Sequence, residues 1–473
     1  MSSNGSETGV GADGVGELAA TVEAQLDRGR EAMAAVSDYD QGAVDDLARA
    51  VAWAVVEEER CDELTALCAR ETGIGSRAAT RAKLQEFLTR ALADVLGEPS
   101  VGRIPTDRDG VIEVAKPVGV IGALVPSTNP TSTAALLAML AVKGRNAIVI
   151  SPPPTAVETV DLTVSSVREE LARVGAPRDL VQLVEPPVSR ARAEALLDRA
   201  DFAHVTGSER NVEAGETSGT PNYCVGAGNA TAIVDETADV RAAARAVGTG
   251  AAFDHGGACT SESNVVVDRR VADAFLDALR AAGGYVCSPR ESTRVADVLF
   301  EDGRRTRSLV AAPAPEVAAA ADVSTDDPPE FLALRAETPP GEPLAAEKLA
   351  PVVTVYVDRG FDRLLERVSQ ILDIEGAGHS CVVHTTLDDR IERVAREVDV
   401  CRAVANQVGG YGLGGHGNDL DTSVCLGAGV WGGNQLDENL GYRHFLTTTR
   451  VATATDDAPP DRKALFGDYL ERR

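Results

Sequence analysis

Positive charge is scarce in this 473-residue chain: 46 Lys+Arg stand against 73 Asp+Glu, a formal net charge of −27. Such a field repels phosphate backbones and anionic lipid, so nucleic acid and membrane surfaces are excluded as partners. Lysine is the scarcest base, with only residues 83, 116, 143, 348 and 463. GC-rich coding accounts for that deficit but not for the acidity, which points to a halophilic protein working in high salt. No run of 18 apolar residues occurs, and the N-terminus has neither a basic n-region nor an apolar h-region, so a cytoplasmic protein is expected. The eight cysteines form no CxxC pair and read as free thiols, most of them small buried hydrophobes. The six histidines form no HExxH spacing, so no metal site is expected. GxSxG and GxxxxGK[ST] are absent too, which removes the main support for serine hydrolase and P-loop chemistry.

What is present is enough apolar material, 44% of residues, for two or three folded units with real cores. Residues 1–16 are Gly/Ser-rich and expected to fray. Residues 18–96 place Ala, Leu and Val at helical spacing, predicting two or three helices, with a stop at Gly73 and Ser76 as a following N-cap. From residue 118 short β-branched runs alternate with helical stretches, the pattern of parallel βαβ layers. The predicted strands are 118–125, 147–151, 180–184, 202–206, 231–234, 265–267, 352–357 and 381–384. Helices are predicted over 131–143, 156–174, 189–199, 209–219, 239–253, 270–282, 361–374 and 388–399. Residues 312–345, rich in Pro, Ala and acid, read as a surface excursion.

Three GxGxxG matches begin at Gly9, Gly410 and Gly427, but none follows a convincing strand, which that fingerprint requires. Phe202–Thr206 followed by Gly207, Ser208 and a helical stretch is a better dinucleotide candidate, because a strand, a glycine turn and a helix N-terminus supply backbone donors for a phosphate. Cys259 follows the pair Gly256-Gly257 and precedes a strand. A thiol at such a turn is accessible to substrate, and nearby donors would lower its pKa.

Six segments, in order, give that cysteine its meaning: KPVGVIGALVPSTNPTSTAALLAMLAVKGRNAIVISPPP (116–154), VTGSERNVEAGETSGTPNYCVGAGNATAIVDETADV (205–240), FDHGGACTSESNVVV (253–267), EKLAPVVTVY (347–356), GAGHSCVVHT (376–385) and LGAGVWGGNQLDENLG (426–441). Together they resemble the aldehyde dehydrogenase superfamily, and within it the coenzyme-A-acylating branch of acetaldehyde and propionaldehyde dehydrogenases. The resemblance implies an α/β fold with a Rossmann-type cofactor domain (1–102 and 119–231), an α/β catalytic domain (232–435) and a small β oligomerisation arm (103–118 and 436–473), assembled as a homodimer or homotetramer.

It implies Cys259 as nucleophile and Asn129 as side-chain donor to the developing oxyanion, alongside the Cys259 backbone N–H. Thr206, Gly207, Ser208, Gly226 and Gly228 would hold the dinucleotide, NAD or NADP. Ser151 and Pro152 would line the adenosine, and Glu347 would lie near the nicotinamide ribose. His379 matches a GH[TS] segment and is either the acceptor of the coenzyme A thiol proton or a strand-start histidine. Glu262, in the branch's CxxE pattern, is expected to orient backbone.

Hydrolytic relatives have an ELGG-type motif whose Glu activates water; here the matching stretch is Val225-Gly226-Ala227-Gly228-Asn229. Valine is no general base, so the thioester is better suited to transfer to coenzyme A than to hydrolyse. The expected reaction is short aldehyde, coenzyme A and NAD(P)+ to acyl-CoA and NAD(P)H, run in either direction. A hydrolytic aldehyde dehydrogenase and a catalytically silent scaffold are the alternatives. Semialdehyde and sulfoacetaldehyde substrates stay open. Asn418, Asp419 and Asp421 replace the branch's apolar run and are expected to form a solvated loop.

Overall fold

A computed structural model describes residues 12–336, 341, 343–454 and 459–470. Three of the four β-sheets among the described residues organise it, the fourth being the small hairpin Phe300–Glu301 with Arg304–Arg305. The first has five parallel strands in the order Val181–Leu183, Ala147–Ser151, Val120–Leu124, Phe202–Thr206, Asn222–Val225. Its two central strands are buried throughout as far as Val205, as a sheet covered on both faces requires. The direction of winding reverses between Val120–Leu124 and Phe202–Thr206, so the carboxyl ends of these two strands open a crevice. The second sheet has seven parallel strands in the order Gly284–Val286, Phe331–Arg335, Val352–Asp358, Asn264–Asp268, Thr231–Val234, Gly378–His384, Val400–Ala405. The third is antiparallel: Gly102–Ile104 and Leu446–Ala452 flank Val111–Pro117.

The helical N-terminal region contains four α-helices before a wider turn: Ala12–Ala35, Gln41–Val56, Glu58–Thr72 and Arg77–Ala82. The helix expected only after residue 16 therefore starts at Ala12, and residues 1–11 lie outside the described set. Gly73 ends the third helix in the left-handed region (φ 67°), and the Ser76 side chain caps the fourth by accepting from Ala79 N–H (3.0 Å). After Ala82 the rod loosens into one π-helical turn, Lys83–Phe87, and resumes as Leu88–Val95. Single π turns of this kind gather at functional sites.

One expectation fails. Of the segment 312–345 the stretch 312–336 is not a surface excursion, while 337–340 and 342 lie outside the described residues: Ala314–Ala320 is a helix with a buried face, and Phe331–Arg335 lies inside the seven-stranded sheet with Phe331 to Leu334 fully buried. The acidic, proline-rich flanks obscured a four-residue apolar run that is covered on both faces. The Phe331 ring occupies space that only glycine leaves free, since a Cβ at Gly248 or Gly284 would meet it at 2.7 or 2.4 Å. Replacing Phe331 by alanine is expected to cost about 3–5 kcal/mol, seen as a lower urea midpoint with an unchanged m-value. A surface position would lose under about 0.5 kcal/mol.

Candidate active site

The chain passes from the five-stranded to the seven-stranded sheet between Val225 and Thr231, and candidate site residues converge on this link. Gly228 presses on the backbone of Cys259: a Cβ there would lie 2.1 Å from the Cys259 carbonyl oxygen and 2.8 Å from its Cβ. Asn229, at φ 44°, ties the link down. Its Nδ2 donates to the carbonyls of Ala345 and Glu375 (2.8 Å each), and its Oδ1 accepts from Asn264 Nδ2 (2.8 Å).

Cys259 occupies a turn closed by Ser261 N–H donating to Ala258 O (3.0 Å), and Thr260 Oγ1 donates to Gly410 O (3.1 Å). The three residues Asp254, His255 and Gly256 upstream are all left-handed (φ 49°, 53° and 70°). Left-handed backbone costs a non-glycine residue about 1–2 kcal/mol, and such strain gathers at functional sites. Cys259 is half-buried, and its thiol is pushed up to about 12, by burial first and then by the Glu347 carboxylate; Arg402 opposes the shift. The low thiol pKa anticipated from the glycine turn is thus not found in the free protein.

Glu347 is buried against the same link. Its Oε1 accepts from Gly228 N–H (2.8 Å) and Asn229 N–H (3.2 Å), and its Oε2 pairs with Arg305 (3.3 Å), which also pairs with Glu375 (2.5 Å). Burial raises its pKa and Arg305 lowers it. Val225 is buried at the end of its strand.

Thr206, Gly207 and Ser208 end the strand Phe202–Thr206 at the crevice. Ser208 is the exposed N-cap of the helix Glu209–Thr217, yet its side chain makes no capping bond, and a Cβ at Gly207 would meet only Asn211, at 3.4 Å. A Cβ at Gly226 would touch nothing nearer than Val212 at 3.7 Å. Ser151 and Pro152 lie at the carboxyl end of the adjoining strand, buried. Open backbone, an unspent cap and free helix N–H groups at a topological switch point suit a dinucleotide phosphate.

His379 starts the strand Gly378–His384, fully buried; its Nδ1 meets Ser380 Oγ at 2.8 Å and its Nε2 has no partner. Burial, then the nearby Arg402 charge, pushes it down to about 3, so the ring is neutral. Glu262 is also buried, with Oε1 accepting from Gly409 N–H (2.6 Å) and burial raising it to about 8. This contact orients the backbone at Gly409. Asn418 braces its own loop by donating to Gln407 Oε1 (3.0 Å) and Gly412 O (2.9 Å), while Asp419 and Asp421 are exposed.

The sequence reading missed Arg402, Lys83 and Asp254. Arg402 donates to the carbonyls of His379 (2.8 Å) and Gly427 (2.6 Å), and its charge acts on both Cys259 and His379. Lys83 is buried and hydrogen-bonded to both Asn129 Oδ1 and Asp254 Oδ2. A signal for Lys83 was available: of the five lysines in this arginine-rich chain, 83, 143 and 348 are buried. A lysine kept inside such a protein marks a need for a compact charge with three donors.

The Cys259 environment predicts how its thiol behaves. Because only the thiolate is alkylated, the iodoacetamide reaction rate at Cys259 in cofactor-free protein is expected to keep rising through pH 9–10 without a plateau. Glu347→Gln removes a negative charge and lowers the Cys259 pKa, so alkylation at pH 8 accelerates, about tenfold for each ~1.4 kcal/mol of repulsion removed. Site-resolved mass spectrometry reads both effects.

Comparison with known proteins gives the family. The profile of the aldehyde dehydrogenase family matches residues 16–286. A sulfoacetaldehyde dehydrogenase (acylating) of Cupriavidus necator is 35% identical over 96% of this chain and 93% of the relative. Another, from Bilophila wadsworthia, is 34% identical over 96% of this chain and 99% of the relative. An acetylating aldehyde dehydrogenase from Geobacillus thermoglucosidasius superposes with a TM-score of 0.89 at 27% identity, covering 94% of this chain and 99% of that structure. With its cysteine turn, glycine link and strand order, the chain belongs to the aldehyde dehydrogenase family.

Proposed function

We propose that the protein is an NAD(P)-dependent, coenzyme-A-acylating dehydrogenase whose preferred aldehyde is short and anionic, with sulfoacetaldehyde the best fit. The observation that carries the acylating reading is the link beside Cys259. It offers Val225 and two glycines where a hydrolytic enzyme needs a carboxylate. The nearby Glu347 has both oxygens engaged by N–H donors and Arg305.

Cys259 loses its proton and attacks the aldehyde carbon, and the oxyanion is held by Asn129 Nδ2 and the Cys259 N–H. Removing one such donor typically costs 10²–10³-fold in rate, about 2.7–4 kcal/mol. Bound NAD(P)+ supplies the hydride acceptor. Thr206, Gly207, Ser208, Gly226 and Gly228 hold the dinucleotide, with Ser151 and Pro152 at its adenosine and Glu347 at the ribose. The acyl group then rests on Cys259 as a thioester with no activated water beside it. Coenzyme A attacks, and the neutral, unpartnered Nε2 of His379 accepts the thiol proton, a role a histidine that merely caps a strand would leave vacant.

Two observations support an anionic substituent. The relatives from C. necator and B. wadsworthia carry sulfoacetaldehyde in their names. Within one helical turn of Asn129, a small cavity with room for about one water is lined by Lys83, Ser132, Thr422 and Ser423 together with the apolar Phe87, Leu88, Ala91, Leu136 and Val424. Lys83 uses two ammonium donors on Asn129 and Asp254 and keeps a third, and the buried Thr422 Oγ1 has no partner. The ammonium and the unpartnered hydroxyl beside Asn129 offer donors to an anionic substituent.

The eight free thiols suit the cytoplasm, and the three-stranded sheet suits an arm between subunits of a homodimer or homotetramer. A net charge of −27 suits high salt.

The test is NADH and acyl-CoA formation in molar KCl with sulfoacetaldehyde or propionaldehyde, with and without coenzyme A. We expect coenzyme-A-dependent turnover that Cys259→Ala abolishes, with kcat/KM at least about tenfold higher for sulfoacetaldehyde, since a hydrogen bond to a charged group is worth about 1.5–3 kcal/mol. Thr422→Val should narrow that preference and leave propionaldehyde turnover unchanged. Turnover to free acid without coenzyme A would overturn the acylating reading, and equal kcat/KM values would overturn the anionic one.

A further inference from the structure

Three departures from ordinary local structure meet at one point. The rod of helix loosens into a π turn at Lys83. The backbone turns left-handed at Asp254 and His255. Asn129, among the best N-cap residue types, stands at the N-cap of Pro130–Lys143 without making a capping hydrogen bond. When several local rules fail around one spot, function is the usual reason.

The atoms explain the convergence. The π turn aims Lys83 inward, where its ammonium is almost fully buried and lies 5.5 Å from the centroid of the Phe253 ring. The left-handed backbone turns Asp254 toward it. One Asp254 oxygen receives the ammonium and the other accepts from Ser76 N–H (2.7 Å), so the carboxylate is held from two sides. Gly75 leaves the room this needs, since a Cβ there would fall 2.5 Å from Asp254 Oδ1. The second ammonium donor reaches Asn129 Oδ1.

An ammonium has donors and no acceptor. It therefore decides which way the Asn129 amide faces: Oδ1 toward Lys83, and the Nδ2 donors away from it. Without Lys83 the two orientations of the amide differ little, and in one of them a carbonyl oxygen faces the reacting carbonyl and repels the oxyanion. We propose that Lys83, held by Asp254, is the positioning residue that orients the Asn129 amide so that its N–H, and not its oxygen, meets the developing oxyanion. This rests on the reading of Asn129 as the oxyanion donor given above.

The test is a double-mutant cycle on the full-length enzyme with propionaldehyde, which has no anionic group for Lys83 to bind. Lys83→Met is expected to lower kcat about 10²-fold with the KM values for aldehyde and NAD(P)+ little changed, and Asn129→Ala to lower it as much or more. If Lys83 acts through Asn129, the double variant falls no further than Asn129→Ala alone, within about threefold; independent structural damage would multiply instead. Asp254→Asn gives a second route into the same cycle. Its amide accepts from only one of the two donors that the carboxylate serves, and it is expected to follow Lys83→Met. Thermal melts identify any variant that is simply unfolded.

Multiplicative losses in both cycles would overturn the positioning role while leaving Asn129 as donor. Asn129→Ala with wild-type kcat would instead overturn the donor reading and the positioning role together.

Discussion

The contact on which the site depends is backbone against backbone: Gly228 on the carbonyl of Cys259, with no room for a Cβ between them. Residues 226–230 carry the chain from one sheet to the other, so this contact sets the Cys259 turn against the last strand of the five-stranded sheet. The same link offers its N–H groups to Glu347 and, through Asn229, grips the backbone at Ala345 and Glu375. A link that must lie this close to the Cys259 backbone has to be glycine-rich. A carboxylate able to activate water is missing from it, so packing and reaction course come from the same few residues.

Electrostatically the free site is quiet. Burial and Glu347 hold Cys259 as a thiol, burial and Arg402 keep His379 neutral, and burial raises Glu262. Reactivity in such a site belongs to the complex with its ligands rather than to the resting protein. Two sets of charges beside the site are fixed against partners of opposite sign: Lys83 with Asp254, and Arg305 with Glu347 and Glu375. Each is in a position to orient a neighbour, a use that fits buried ion pairs better than bulk stabilisation does.

Much of the fold was legible because parallel strands in covered sheets are short β-branched runs between turn residues. Ala147–Ser151, Phe202–Thr206 and Thr231–Val234 have the ends the sequence predicts. Asn222–Val225, Gly284–Val286 and Val400–Ala405 were not legible: two are only three or four residues long, and the third carries Arg402 in its middle. Cys259 stood out locally only as a thiol at a glycine turn; its expected role, and the positions of Asn129 and Glu347, came from six ordered segments. Lys83 escaped because its partners are 46 and 171 residues away and a π turn leaves no periodic signature. The direction of the cysteine's pKa shift escaped for a related reason, since a glycine turn reveals neither the burial that raises it nor the Glu347 carboxylate that a distant segment brings beside it.

The central claim, that the acyl group waits on Cys259 for a thiol, is tested most directly in a single turnover without coenzyme A. Enzyme, NAD+ and aldehyde are mixed, and NADH and the mass of the Cys259 peptide are followed together. The account predicts a burst of NADH no larger than the enzyme concentration, a persistent acyl adduct on Cys259, and its prompt loss when coenzyme A is added. Continued NADH release with free acid and no adduct would contradict it, because water would then be reaching a thioester that this link leaves without a base.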